Sequence, residues 1–103
     1  MKNLYITVVN NVATYCQRGG SIVCGKNGYQ ITFAFDYMWG GYTNKIARFK
    51  WNGDFTDVPI ENDIAAVPLI ENAAQVEVGV YVEGLYATTP TVIPCKEGEY
   101  EES

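Results

Sequence analysis

Four carboxylates fall within ten residues, at Asp54, Asp57, Glu61 and Asp63, and are the first side chains here whose types could do chemistry. Two opposed carboxylates carry glycoside hydrolysis, and several around a tight loop bind calcium. This spacing matches neither arrangement. Asp is favoured in turns because its side chain bonds the local backbone, so the four read as solvated turn residues. The chain has no histidine, which removes the imidazole base of Ser-His and Cys-His nucleophile pairs. Cys16, Cys24 and Cys95 have no CxxC spacing to suggest zinc, and their odd number argues against a disulfide framework. They read as small buried hydrophobes, although Cys16 and Cys24 flank Gly19-Gly20 and could face each other across a hairpin. Gly19-Gly20 and Gly40-Gly41 lack the strand–loop–helix setting of a phosphate-binding loop. The expectation is a protein without catalytic residues, metal or cofactor.

The aromatic residues offer a different chemistry. Tyr37, Met38, Trp39 and Tyr42 gather around Gly40-Gly41, between two strand-like runs. Exposed on a loop, they would form a contact surface for a protein or a sugar. The blander reading folds Trp39 back to cap the core. Trp51 alternates with apolar residues and is expected in the core or at its rim.

The elements that must position these residues are strands. Residues 29–35 alternate with Ile31, Phe33 and Phe35 on one face; residues 45–51 place Ala47, Phe49 and Trp51 on one face and Ile46, Arg48 and Lys50 on the other. Residues 75–83 gather Val76, Val78, Val80 and Val82. A period of two with one face toward a core is the mark of antiparallel sheets. The predicted core is Ile31, Phe33, Phe35, Ala47, Phe49, Val76, Val78, Val80 and Val82. Asn52-Gly53 between aromatic residues predicts a type I′ hairpin turn, and Glu61-Asn62-Asp63 and Glu83-Gly84 predict further turns. Pro59, Pro68, Pro90 and Pro94 fall at strand ends or in edge positions. No helix is convincing; residues 70–75 could form one turn at most. About seven runs, spaced as they are, predict an all-β, immunoglobulin-like antiparallel β-sandwich, with a small closed barrel as the competing architecture.

At 103 residues the chain has room for one domain, expected over residues 1–95. Residues 96–103 hold four Glu and one Lys and form an acidic tail that accounts for three of the five net negative charges. An acidic chain has no electrostatic pull toward phosphate, so nucleic acid is not an expected partner. No run has the length and apolarity of a membrane span, and residues 1–11 read as a strand rather than a signal peptide. Synthesis in a bacterial cytoplasm is the corresponding expectation.

Taken in order, residues 29–39 (YQITFAFDYMW), 45–60 (KIARFKWNGDFTDVPI), 64–70 (IAAVPLI), 76–84 (VEVGVYVEG) and 89–95 (TPTVIPC) resemble a group of small proteins from phages and prophages of Gram-positive gut bacteria. The group is found near tail-fibre and baseplate genes. The chain is also loosely similar to the immunoglobulin-like N-terminal domain of phage baseplate upper proteins. The resemblance spans residues 2–95 and implies a virion structural or tail-assembly role, with other tail or baseplate proteins as partners, a possible homo-oligomer, and the virion tail as destination. The motifs are structural, so the resemblance carries over no site residue. The alternative is a small carbohydrate-binding or adhesion module using the Tyr37–Tyr42 loop.

Overall fold

A side chain on every second residue can enter the core only if the segment is extended, and the chain obeys this from its first strand. The computed structural model describes residues 2–84 and 86–97. In order come β1 (Lys2–Val9), β2 (Val12–Tyr15), a 3-10 turn (Gln17–Gly19), β3 (Ile22–Val23), β4 (Tyr29–Phe35), α1 (Tyr37–Gly40), β5 (Ile46–Trp51), β6 (Asp54–Pro59), β7 (Ile64–Ala66), β8 (Gln75–Val82), β9 (Tyr86–Ala87) and β10 (Thr91–Lys96). They form two packed sheets, ordered β2-β1-β4-β7 and β3-β10-β8-β5-β6, with β9 beside β8. The all-β sandwich expected from the sequence is present.

Two details differ from the expected plan. The sheets are mixed: β1 runs parallel to β4 from Lys2↔Tyr29 to Val8↔Phe35, and β10 runs parallel to β3. Alternation says which side chains share a face and is silent on strand direction, so it could not reveal this. The strands are also more numerous than seven, because β3 and β9 have two residues each and are too short to show a period. Between β1 and β4 the chain turns back through β2, crosses to the other sheet at β3 and returns, which is how two parallel neighbours are joined without a long helix.

Three two-residue turns set the hairpin registers. Asn52 and Gly53 have φ of 54° and 83°, with Trp51 opposite Asp54, as a type I′ turn requires. Asn62 and Asp63 (φ 54° and 64°) do the same between Glu61 and Ile64. Asn10 and Asn11 (φ 53° and 62°) join β1 to β2, a hairpin the sequence reading passed over. Asn tolerates the left-handed region better than other residues with a Cβ, so two in a row was a readable signal. The sandwich is laced at one side by Thr89, whose N–H donates to Asn11 O at 2.9 Å and whose carbonyl accepts from Ala13 N–H at 3.3 Å.

Eight of the nine predicted core residues are buried. The ninth, Phe35, is half-buried at the rim, stacked on Phe33 at 5.6 Å between ring centroids. Trp51 is also half-buried against the core. The three cysteines are all free; Cys24 is buried, Cys95 is half-buried, and Cys16 is exposed, against the expectation that all three would be buried. Cys16 follows β2 on the outward step of its alternation. Burial pushes the Cys95 thiol up to about 11. Strand β10 takes in Lys96, the first residue of the expected tail, while residues 98–103 lie outside the described residues.

Phe33 lies in the middle of β4 with 2% of its surface exposed. Phe33→Ala is expected to cost about 3–5 kcal/mol in chemical denaturation, through lost burial and the cavity left behind. A change within experimental error would show that the face assignment of β4 is wrong.

Candidate functional site

The expected aromatic cluster divides when folded. Trp39 is fully buried, and its indole N–H donates to Asn11 Oδ1 at 2.8 Å. Its ring stacks on Phe35 at 6.0 Å. Met38 and Tyr42 are partly buried against the core, and Tyr37 alone projects fully, at 91% exposure. Trp39 therefore caps the core, and the four residues form no shared contact surface. α1 is the one short α-helix among the described residues, and it falls here rather than at residues 70–75.

The corner is held by polar groups the sequence did not single out. Lys45 is buried and donates from Nζ to the carbonyls of Trp39 (3.2 Å) and Tyr42, with the ammonium 4.7 Å from the Phe35 ring centroid. A buried ammonium is tolerated only with such partners. Asp36 Oδ2 accepts from Asn10 N–H at 2.9 Å, tying the β1–β2 turn to the same corner.

The carboxylates do not converge either. Among the described residues no group of three or more His, Cys, Asp or Glu stands close enough to hold a metal. Asp57, expected as a solvated turn residue, sits in the middle of β6 and faces Arg48 on β5. Arg48 Nε and Nη2 donate to its two oxygens at 2.8 and 2.9 Å. Tyr81 on β8 donates its hydroxyl to Asp57 Oδ2 at 2.8 Å. The guanidinium carbon lies 4.0 Å from the Phe55 ring centroid and 5.0 Å from that of Tyr81. Bidentate pairing and two ring contacts fix the Arg48 fork in position on an open sheet face.

This network borders a groove of about 510 Å³ on the outer face of the larger sheet, lined by Arg48, Lys50, Glu77, Gly79, Tyr81, Thr88 and Pro90 among others. It is the candidate site, and three strands contribute to it. Part of it was within reach of the sequence: counting outward from the Asn52-Gly53 turn puts Arg48 opposite Asp57. The place of Tyr81 and Gly79 depends on the β5–β8 register, which no local signal carries.

Comparison of the chain with protein-family models, curated proteins and solved structures finds no match in any of the three. The assignment of this surface rests on its geometry.

The Arg48 hydrogen bonds hold the Asp57 carboxyl below its ordinary range, and the bond to Asp57 pushes the Tyr81 phenol above its own. The lowered Asp57 value means its contribution is present above the ordinary carboxylate range and lost as pH falls through the folded value. The raised Tyr81 value means its contribution is present below about pH 10 and lost as pH rises beyond that. Asp57→Asn is therefore expected to return the Tyr81 phenol toward its ordinary pKa, read from tyrosine ring carbon shifts by NMR. An unchanged Tyr81 titration would mean that the phenol–carboxylate bond is not formed in solution.

Proposed function

We propose that the chain is a structural protein of a phage or prophage tail that works through protein–protein contacts. The observation that supports this reading is the outer face of the smaller sheet. Register and alternation bring eleven side chains to that face: Asn3, Tyr5, Thr7 and Val9 from β1, Val12 and Thr14 from β2, Gln30, Thr32 and Ala34 from β4, and Ile64 and Ala66 from β7. None is charged, although the chain carries a net charge of −5. Tyr5, Val9 and Val12 are about half exposed, and Ile64 is over a third exposed. An uncharged face of this kind docks against another protein without stripping water from an ion, and interface cores are depleted in charge for that reason.

The edges of the larger sheet are less suited to docking. β6, an edge of the larger sheet, carries Asp54 and Asp57 and ends at Pro59, which blunts it against strand addition. β3, the opposite edge, has two residues. A carbohydrate-binding module built on the Tyr37–Tyr42 loop lacks its main platform, because the Trp39 ring is inside.

The test is the composition of particles induced from the bacterium that encodes the chain. The reading expects the protein in purified particles at fixed stoichiometry. It also expects Val9→Lys and Val12→Lys to fold normally but to be excluded from them. Absence of the wild-type protein from particles and from assembly intermediates would sink the reading, as would undiminished incorporation of both lysine variants.

A further inference from the structure

Gly79 stands in the middle of β8, on the outward step between Val78 and Val80, in the centre of a sheet. Glycine in a strand interior weakens the strand and commonly marks a bend or a place where something approaches the backbone closely. Backbone conformation does not ask for glycine here, and alanine would fit. Gly79 is not among the residues with positive φ. A Cβ added to it would lie 3.6 Å from Thr88 Oγ1 and 3.7 Å from Pro90 Cβ, which are ordinary contacts. What the missing side chain does is leave open the floor of the groove of about 510 Å³. That volume lies within the range of small-molecule binding sites.

The walls are ready for a ligand. Arg48 gives two of its N–H groups to Asp57, and a guanidinium has five, so donors are left on the fixed fork. Lys50 and Glu77 are direct cross-strand partners, yet they form no ion pair among the described residues, and each has bonding capacity to offer. Tyr81 and Pro90 supply apolar contact. A second hollow of about 550 Å³, along Trp51–Asp54, Ala74 and Gln75, shares Lys50 and Glu77 with the first, so the two lie side by side on this face.

The charges select the ligand class. Within the groove itself Arg48 is balanced by Asp57 and Lys50 by Glu77, leaving no net charge to draw an ion of either sign, while Asp54 adds a negative charge to the second hollow. The chain as a whole, at −5, repels polyanions. A peptide adding as a strand needs free backbone groups, but the floor's are engaged: β8 pairs with β5 on one side, and on the other Val80 N–H donates to Thr88 Oγ1 and Thr88 N–H to Val80 O. A linear, uncharged, hydroxyl-rich molecule with apolar C–H faces fits what remains.

We propose that the Gly79 groove binds an uncharged oligosaccharide, its C–H face against Gly79, Tyr81 and Pro90 and its hydroxyls bonded by Arg48, Lys50 and Glu77. The site is separate from the charge-free face of the smaller sheet and does not depend on the docking reading.

The experiment is a glycan array carrying neutral and acidic oligosaccharides, probed with the full chain and with Gly79→Val, Lys50→Ala and Tyr37→Ala, with hits repeated by NMR titration. The expected result is retention of one or more neutral glycans and shifts at the amides of residues 77–81. Affinity should fall at least tenfold in both Gly79→Val and Lys50→Ala and stay unchanged in Tyr37→Ala. Lys50→Ala alters only an exposed side chain, so it keeps the test sharp if Gly79→Val folds poorly. Three results would overturn the proposal: no neutral glycan retained, acidic glycans alone retained, or neutral binding undiminished in Lys50→Ala. A peptide library yielding ligands that the Gly79→Val change abolishes, with no glycan bound, would assign the groove to peptides instead.

Discussion

The register of β1 against β4 is the constraint on which the rest of the structure depends. Seven consecutive parallel pairs, Lys2↔Tyr29 to Val8↔Phe35, place Leu4, Ile6, Val8, Ile31 and Phe33 on the inner face together. The same pairs place Asn3, Tyr5, Thr7, Gln30, Thr32 and Ala34 on the outer face. A slip of one residue in either strand would exchange that strand's two sets, burying threonines without partners and exposing a row of Leu, Ile and Val. The outer surface is therefore as strictly determined as the core. β5 and β8 repeat the logic in the other sheet, where burying Ala47, Phe49, Val76, Val78 and Val80 leaves Arg48, Lys50, Glu77, Gly79 and Tyr81 outside.

Much of this was legible from period two alone, because side-chain alternation is a local property. The Val76–Val82 row and the Ile31–Phe33 pair could be read without knowing their neighbours. So could the Asn52-Gly53 turn, whose positive φ angles are a chemical requirement of the tight hairpin. The parallel pairings could not, since a strand alternates identically in both directions. Trp39 shows a different limit. Its sequence setting, next to Gly40-Gly41, resembles an exposed loop, and the acceptor that draws it inward is Asn11, 28 residues away. The groove was partly hidden for the same reason. Gly79 inside a run of valines was visible, but that alanine would also fit there appears only when Thr88 and Pro90 stand beside it.

The two outer faces have opposite characters. One is uncharged and built largely of Thr, Val and Ala, suited to contact over an area. The other carries balanced charge, fixed aromatic contacts and a hollow, suited to a ligand of defined shape. A sandwich separates such surfaces by its full thickness, so the proposed docking and the proposed sugar binding can coexist without competing for the same residues. Blunted or very short edges at β6 and β3 fit this division, because a face can serve a specific partner only if the edges do not recruit others.

Hydroxyl-radical footprinting, comparing the free chain with the chain inside assembled particles, tests the assignment of contact to the smaller sheet's face most directly. It reads the solvent access of individual side chains. The account predicts that Tyr5, Val12 and Ile64 become protected on assembly, while Phe55 and Tyr81 on the opposite face stay as reactive as in the free chain. Protection at Phe55 and Tyr81, with Tyr5, Val12 and Ile64 unchanged, would contradict it.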